Sequence, residues 1–304
     1  MKKGNGMSTP AQTIDRPRTS PKKAGRISQP GVNPLVSMLK YAFILVILLI
    51  SVGPFLWVFL SSFKSNLEIL NSALALPARL KFSNYVMAFK IAPLAQFYGN
   101  SILIAVTGTL LNLTVLGMSG YVIARFEFKG KKTIMSLVSM ALLIPGAALL
   151  LPLYLTVRNV GLYDNILGLI LIYAGFGLPV SLYILSSYFL TIPKELEESA
   201  YLDGAGFLRT FLTIILPIAK PGFGTAGVLQ FLLCWNEFQF ALTLTTGLKN
   251  RTLPVALFYF KSQFASDYGA MFAATILVVI PSIIVYVLLQ EQVVSGLAAG
   301  AVKG

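Results

Sequence analysis

Apolar residues in this chain come in long unbroken runs separated by short polar connections, a pattern that fits neither the one-sided stripe of a soluble helix nor the alternation of a strand. Six runs approach the roughly twenty residues that a helix needs to cross a bilayer. They cover residues 41–62, 101–124, 134–155, 166–190, 222–245 and 270–290. Ahead of them, residues 1–40 are polar, with Pro10, Pro17, Pro21, Pro30 and Pro34 among Ser, Thr, Gly and eight basic residues. That composition predicts a disordered tail. The pattern thus predicts an all-α polytopic membrane protein, with a six-helix domain over residues 41–290 and a short C-terminal tail over 291–304.

Composition agrees. The 304 residues are 56% hydrophobic and only 12% charged, with a mean hydropathy of +0.77. A soluble domain could not bury so much apolar surface. The net charge of +13 would suggest nucleic acid in a soluble protein. Here the basic residues sit between apolar runs, so the asymmetry of loop charge across a membrane explains them and no nucleic acid is expected. With both termini on one side, that side receives sixteen Lys and Arg and the other eight. The richer side is therefore read as cytoplasmic, with the basic tail free to meet anionic membrane lipid.

The lone Cys234 excludes an intramolecular disulfide, and the absence of histidine removes most transition-metal designs. Gly130-Lys131-Lys132-Thr133 lacks the upstream glycine of a phosphate loop, and no nucleophile and base are paired in any motif. The chain is expected not to be an enzyme and to hold no cofactor itself.

One connection differs from the rest. Residues 192–221 hold Glu195, Glu197, Glu198 and Asp203 in a chain that is otherwise apolar or basic. Pro193 suits a first helical turn, and the glutamates after it favour the positive end of the helix dipole. Leu196, Ser199, Ala200 and Asp203 fall on one face of that helix. Gly204-Ala205-Gly206 then supplies residues able to turn at positive φ, and a second short helix follows, closed by Pro217 and Pro221.

Glu198-Ser199-Ala200, then Gly204 after three intervening residues, and Ile214-Ile215-Leu216-Pro217 after nine more resemble the EAA loop of the inner-membrane permeases of ABC importers. Ser199 stands where that family usually has alanine, and both are small. The resemblance implies a type I importer permease with a cytoplasmic coupling helix between its fourth and fifth spans. It implies ATPase contact by Glu198, Ser199, Ala200, Asp203, Gly204 and Pro217. It also implies a second homologous permease, two ATPase subunits that bind ATP and Mg, and an extracytoplasmic solute-binding protein, in a bacterial or archaeal plasma membrane.

Softer patterns are similar to the second permease of carbohydrate importers. They are Ser62-Phe63-Lys64 with Glu68-Ile69, Phe82-Ser83-Asn84-Tyr85, Ile144-Pro145-Gly146, Leu151-Pro152-Leu153-Tyr154, Leu167-Gly168-Leu169-Ile170 and Trp235-Asn236-Glu237-Phe238. The implied cargo is a sugar or oligosaccharide, with a non-sugar solute such as glycerol phosphate or a polyamine as the alternative. A secondary transporter is the remaining class, but it needs coupling-ion carboxylates in broken helices, and the runs offer only Glu237.

Glu237 is the one acid inside an apolar run, where a carboxylate must face a wet cavity or a hydrogen-bonding partner. On a continuous helix Gln230, Cys234, Glu237 and Ala241 align, with Trp235 and Asn236 on other faces. This predicts a polar strip along a translocation path, with Trp235 available to stack on a sugar ring. The other reading is an interhelical hydrogen bond to the partner permease, or a Glu237 near the outer interface. Gly117, Gly120 and Ala124 are spaced for close helix packing.

Overall fold

The computed structural model describes residues 34–263 and 267–301. They are helical almost throughout, with no strand among them. The chain divides into two units between Ser51 and Val52. In the first, the described residues 34–51 are one exposed, strongly apolar stretch of helix. Most of the tail expected to be disordered lies outside the described residues. Its last part, residues 34–40, is helical, because α1 (Pro34–Ser61) begins at a proline suited to a first turn.

The remaining helices build the second unit. After α2 (Asn66–Asn71) and α3 (Ser83–Ile91) comes the long α4 (Leu94–Arg125). The third run is two pieces, α5 (Lys131–Ala141) and, after a 3-10 turn at Gly146–Leu149, α6 (Leu150–Asn159), set at 100° to each other. Pro145 opens that 3-10 turn, consistent with its missing amide hydrogen. The fourth run is α7 (Ile166–Phe176) and α8 (Leu178–Thr191), bent by 48°.

Then come α9 (Glu195–Leu202), α10 (Phe207–Thr210), a π turn at Phe211–Ile215, α11 (Leu216–Ile218) and α12 (Lys220–Asn236). The chain turns by 76° at Ala219, between Pro217 and Pro221. Pro217 thus lies inside the second short helix and does not end it. The last elements are α13 (Gln239–Leu244), α14 (Leu253–Gln263) and α15 (Tyr268–Ala301). Because α15 continues to Ala301, the tail expected over 291–304 is helical as far as it is described. Three helices are each long and apolar enough to cross a bilayer, and the three bent pairs bring the number of spans among the described residues to as many as six.

α4 is central, packing on α7, α8 and α12, while α12 also packs on α15. Side chains fill this bundle in two clusters, one around Phe97, Tyr173, Trp235 and Phe260, the other around Tyr121, Leu185, Phe189 and Ile215. The close approach expected at the small residues of α4 is present. A Cβ on Gly117 would lie 2.6 Å from the Phe223 ring, and one on Gly120 3.3 Å from Leu185.

The connection between α1 and α4 is a folded cap. Ser65 and Glu68 form a reciprocal capping box on α2, and Asn84 donates to the carbonyls of Ser62 and Lys64, both at 2.8 Å. The Ser62 and Tyr85 hydroxyls are 2.8 Å apart, and the buried Lys64 donates to the Ala73 carbonyl at 2.9 Å. The Ser65 backbone N–H, its hydroxyl and the Ala78 N–H all hold the Glu68 carboxyl below its usual range. The two separated motifs of this region therefore read as one structure, in which Lys64, Ser65, Glu68 and Asn84 satisfy backbone groups that the sharp turns leave open.

On the same end of the unit, Asp164 adopts φ 51° between α6 and α7 and accepts from the N–H groups of Thr246 and Gly247. Burial pushes its carboxyl up, but those two N–H groups and the Asn250 amide outweigh it and hold it below the ordinary 3.8. Two connections far apart in sequence are thereby knitted together.

Candidate functional site

α9 forms where the acidic stretch predicts it, with Glu195, Glu197 and Glu198 in its first turn. Its end is a Schellman motif: the Ala205 N–H donates to the Ala200 carbonyl at 2.9 Å and the Gly204 N–H to the Tyr201 carbonyl at 3.0 Å. Gly204 takes φ +81° there, as its position after the helix requires, while Gly206 stays at φ −77°.

What fixes α9 to the bundle is a buried ion pair that the motif did not point to. Arg125, the last residue of α4, places Nε 2.5 Å from Glu197 Oε1 and donates through Nη2 to the Ile192 carbonyl at 2.8 Å. The Tyr121 hydroxyl donates to Glu197 Oε2 at 3.0 Å. Both charged side chains are more than nine-tenths buried. Tyr121 is itself fully buried among Phe189, Phe207 and Phe211. Every strong acceptor site of the carboxylate facing α4 is thus used, the condition under which a buried pair holds.

This contact corrects the face assigned from spacing. Ala200 is turned inward and 5% exposed, three residues on from Glu197 and sharing its side of the helix. Its small size serves packing within this chain. Glu195, Leu196, Glu198, Ser199, Tyr201, Leu202 and Asp203 are the exposed residues, with Leu202 at 89%. The Ser199 hydroxyl returns to the Glu195 carbonyl at 2.8 Å, so the hydroxyl that replaces the family's methyl is satisfied within the helix.

The strip expected in the fifth run is not one helical face, because α12 stops at Asn236 and Glu237 is extended (ψ 125°). Glu237 accepts from the N–H groups of Phe240 at 2.7 Å and Ala241 at 3.0 Å, capping α13, and from the Tyr173 hydroxyl at 2.5 Å. Glu237 is therefore hydrogen-bonded to α7 of this same chain, rather than to another permease as expected. Gln230 is 2% exposed and donates to the Tyr173 carbonyl at 2.9 Å and to Cys234 Sγ at 3.3 Å.

Trp235 cannot stack on a sugar. It is 2% exposed, stacks on Phe231 and donates to the Val278 carbonyl at 3.1 Å. Asn236 alone of the four is exposed, donating to the Leu232 carbonyl and accepting from the Ser282 hydroxyl at 3.1 Å. No group of three or more metal-ligating side chains occurs among the described residues.

Bent and broken apolar helices, up to six of them spans, with a short helix clamped to α4 in one connection, define a polytopic membrane protein. Residues 115–298 match the family model described as binding-protein-dependent transport system inner membrane component. The chain belongs to this family and is a multi-pass membrane protein.

It is 34% identical over 267 residues to the diacetylchitobiose uptake system permease protein NgcG of Streptomyces coelicolor, covering 87% of this chain and 88% of that one. It is 36% identical over 253 residues to the trehalose transport system permease protein SugB of Mycobacterium tuberculosis, covering 83% and 92%. A crystal structure of a bacterial ABC transporter involved in the import of the acidic polysaccharide alginate contains a chain of the same fold. It matches with a TM-score of 0.75 and 23% identity, over 86% of this chain and 99% of that one.

Proposed function

We propose that this chain is the transmembrane subunit of an ATP-driven importer for a sugar or oligosaccharide, and that α9 is the element through which ATPase subunits move it. The observation that carries the proposal is the asymmetry of α9. Its inner face is bonded to α4 through Glu197 and Arg125, while Leu196, Tyr201 and Leu202 are left exposed. A helix so anchored passes a push on its outer face to the core span, since a close-packed interior yields little.

ATP and Mg belong on the ATPase subunits, and a second, homologous permease completes the path. Both termini and α9 face the cytoplasm in this reading, supported by the sixteen-to-eight distribution of basic residues. The folded cap and the Asp164 knot then face the extracytoplasmic binding protein. The sugar assignment rests on relatives named for diacetylchitobiose and trehalose uptake. In this reading Asn236, with the Ser282 hydroxyl, and the half-buried Glu237 are the polar groups of α12 and its end that would meet sugar hydroxyls.

The test is reconstitution of the chain with its partner permease and ATPase in vesicles, with a binding protein loaded with labelled oligosaccharide outside. ATP-dependent accumulation of the sugar supports the reading. Uptake of only a polyamine or phosphate ester would replace the sugar by that solute, and uptake driven by an ion gradient without ATP would overturn the reading altogether.

A further inference from the structure

The bend between α7 and α8 is held by side chains from two other helices. Pro179 has no amide hydrogen to offer the Gly175 carbonyl, and the Gly177 N–H reaches the Tyr173 carbonyl only at 3.4 Å. A broken helix in an apolar bundle leaves carbonyls that must find donors elsewhere. Two amides supply them. Asn112 of α4 donates to the Ala174 carbonyl at 2.7 Å, and Gln230 of α12 donates to the Tyr173 carbonyl at 2.9 Å. Both side chains are 2% exposed. Their oxygens, Asn112 Oδ1 and Gln230 Oε1, accept no hydrogen bond from the protein.

Gly177 is shaped around this arrangement. A Cβ there would lie 1.4 Å from Gln230 Oε1, so the amide reaches its carbonyl only because the residue at the bend has no side chain. Tyr173 also carries the bend onward, since its hydroxyl donates to Glu237, which caps α13.

We propose that the fourth span is a hinge at residues 175–177, that Asn112 and Gln230 are the positioning residues that hold its bent state, and that its straightening is part of the transport movement. In a straighter helix the N–H groups of Gly177 and Leu178 take over the carbonyls of Tyr173 and Ala174. Each carbonyl then exchanges one neutral donor for another, which leaves the two states close in energy. An amide lost from the bent state shifts the balance toward the straight one by about 2- to 13-fold, the factor of one net neutral hydrogen bond. The movement of Tyr173 displaces the hydroxyl that holds Glu237, which ties the hinge to the end of α12.

This rests on the transport reading above, and the experiment separates the two. Cysteines replace Leu167 and Leu190, both about half exposed near the ends of the two segments, in a Cys234→Ser background that keeps an acceptor for Gln230. Spin labels on them report the bend in the assembled complex, nucleotide-free and trapped with ATP and vanadate. Segments of 11 and 14 residues at 48° lie end to end about 3 Å shorter than the same segments in line, at a rise of about 1.5 Å per residue.

We expect the label distance to differ by about 3 Å between the two states of the otherwise wild-type complex. In Asn112→Leu with Gln230→Met it should stay at the longer value in both, with uptake reduced and the ATPase still bound. Gly177→Ala, which displaces Gln230 while leaving both amides present, should do the same. An unchanged distance in a complex that assembles and turns over ATP overturns the hinge but not the transport reading, and it decides the matter even where the variants do not assemble. Variants that bend and transport as the wild type does overturn it too. Failure of any ATPase to assemble refutes the transport reading instead.

Discussion

Glu197→Ala tests how α9 is joined to the bundle. The substitution removes the carboxylate that Arg125 Nε meets at 2.5 Å and that the Tyr121 hydroxyl meets at 3.0 Å. Arg125 keeps its bond to the Ile192 carbonyl, but the guanidinium charge stays buried without an anion. Removing one partner of a buried pair costs about 3–5 kcal/mol. That is a large part of the roughly 5–15 kcal/mol by which domains are stable, but it falls on one helix end rather than on the core. α9 should loosen from α4 while the two hydrophobic clusters stay formed.

Hydrogen exchange on the purified complex reads this directly. Amides of residues 195–205 should exchange faster by a factor of a hundred or more, since about 1.4 kcal/mol is tenfold, while those of α12 should not change. Sugar uptake should fall far more than ATP hydrolysis does. Glu197→Gln, which keeps the shape and one acceptor, should lie between. The exposed Glu198 provides the contrast, since Glu198→Ala removes a surface charge worth about 0–1 kcal/mol. Wild-type exchange in α9 together with wild-type uptake in Glu197→Ala would refute the role given to the pair.

Other outcomes follow from the same geometry. Gly204→Val meets no neighbour within 4 Å, so its effect is the backbone strain of a β-branched residue at φ +81°, about 1–2 kcal/mol. Uptake should drop in that variant and recover in Gly204→Asn, and equal uptake by the two would show that the conformation is unimportant. Glu237→Ala leaves the Phe240 and Ala241 N–H groups and the Tyr173 hydroxyl without their acceptor. It should lower uptake and loosen α13 without releasing the ATPase, whereas unchanged uptake and unchanged exchange in α13 would dismiss both its path and capping roles. For topology, cysteines at Lys90 and Lys249 in a Cys234-free background should react with an impermeant thiol reagent from outside and one at Glu198 should not. The reverse labelling would invert the orientation.

Much of this was legible in the sequence because membrane spans and helix ends are local signals. The six apolar runs, the acidic first turn of α9 and the glycine at its end each depend on residues a few positions apart. The ion pair was not legible in that way, since Arg125 and Glu197 are 72 positions apart and either could have been a loop charge. A faint signal exists: Glu197 and Ala200 share a side of α9, and Arg125 ends an apolar run.

The end of α12 at Asn236 was hidden for a different reason. No glycine or proline marks residues 235–238, and the helix stops where the Glu237 side chain caps the next helix and meets Tyr173. Trp235 was misplaced because a helix apolar on nearly every face does not say which face points inward. Pro179 marks a break near the middle of the fourth run, but the 48° bend there is held by donors from α4 and α12 that only the fold brings near.

The central claim is that an ATPase acts on this chain through the exposed face of α9. It is tested most directly by ATPase retention on the purified permease pair, comparing the wild type with Leu202→Asp. Leu202 is 89% exposed, so the substitution leaves the packing of this chain untouched while placing a charge on the face proposed to be buried by the partner. We predict that the wild-type pair retains the ATPase through purification and that the variant, equally well inserted and folded, retains at least tenfold less. Equal retention by the two, or none by the wild type, would contradict the claim.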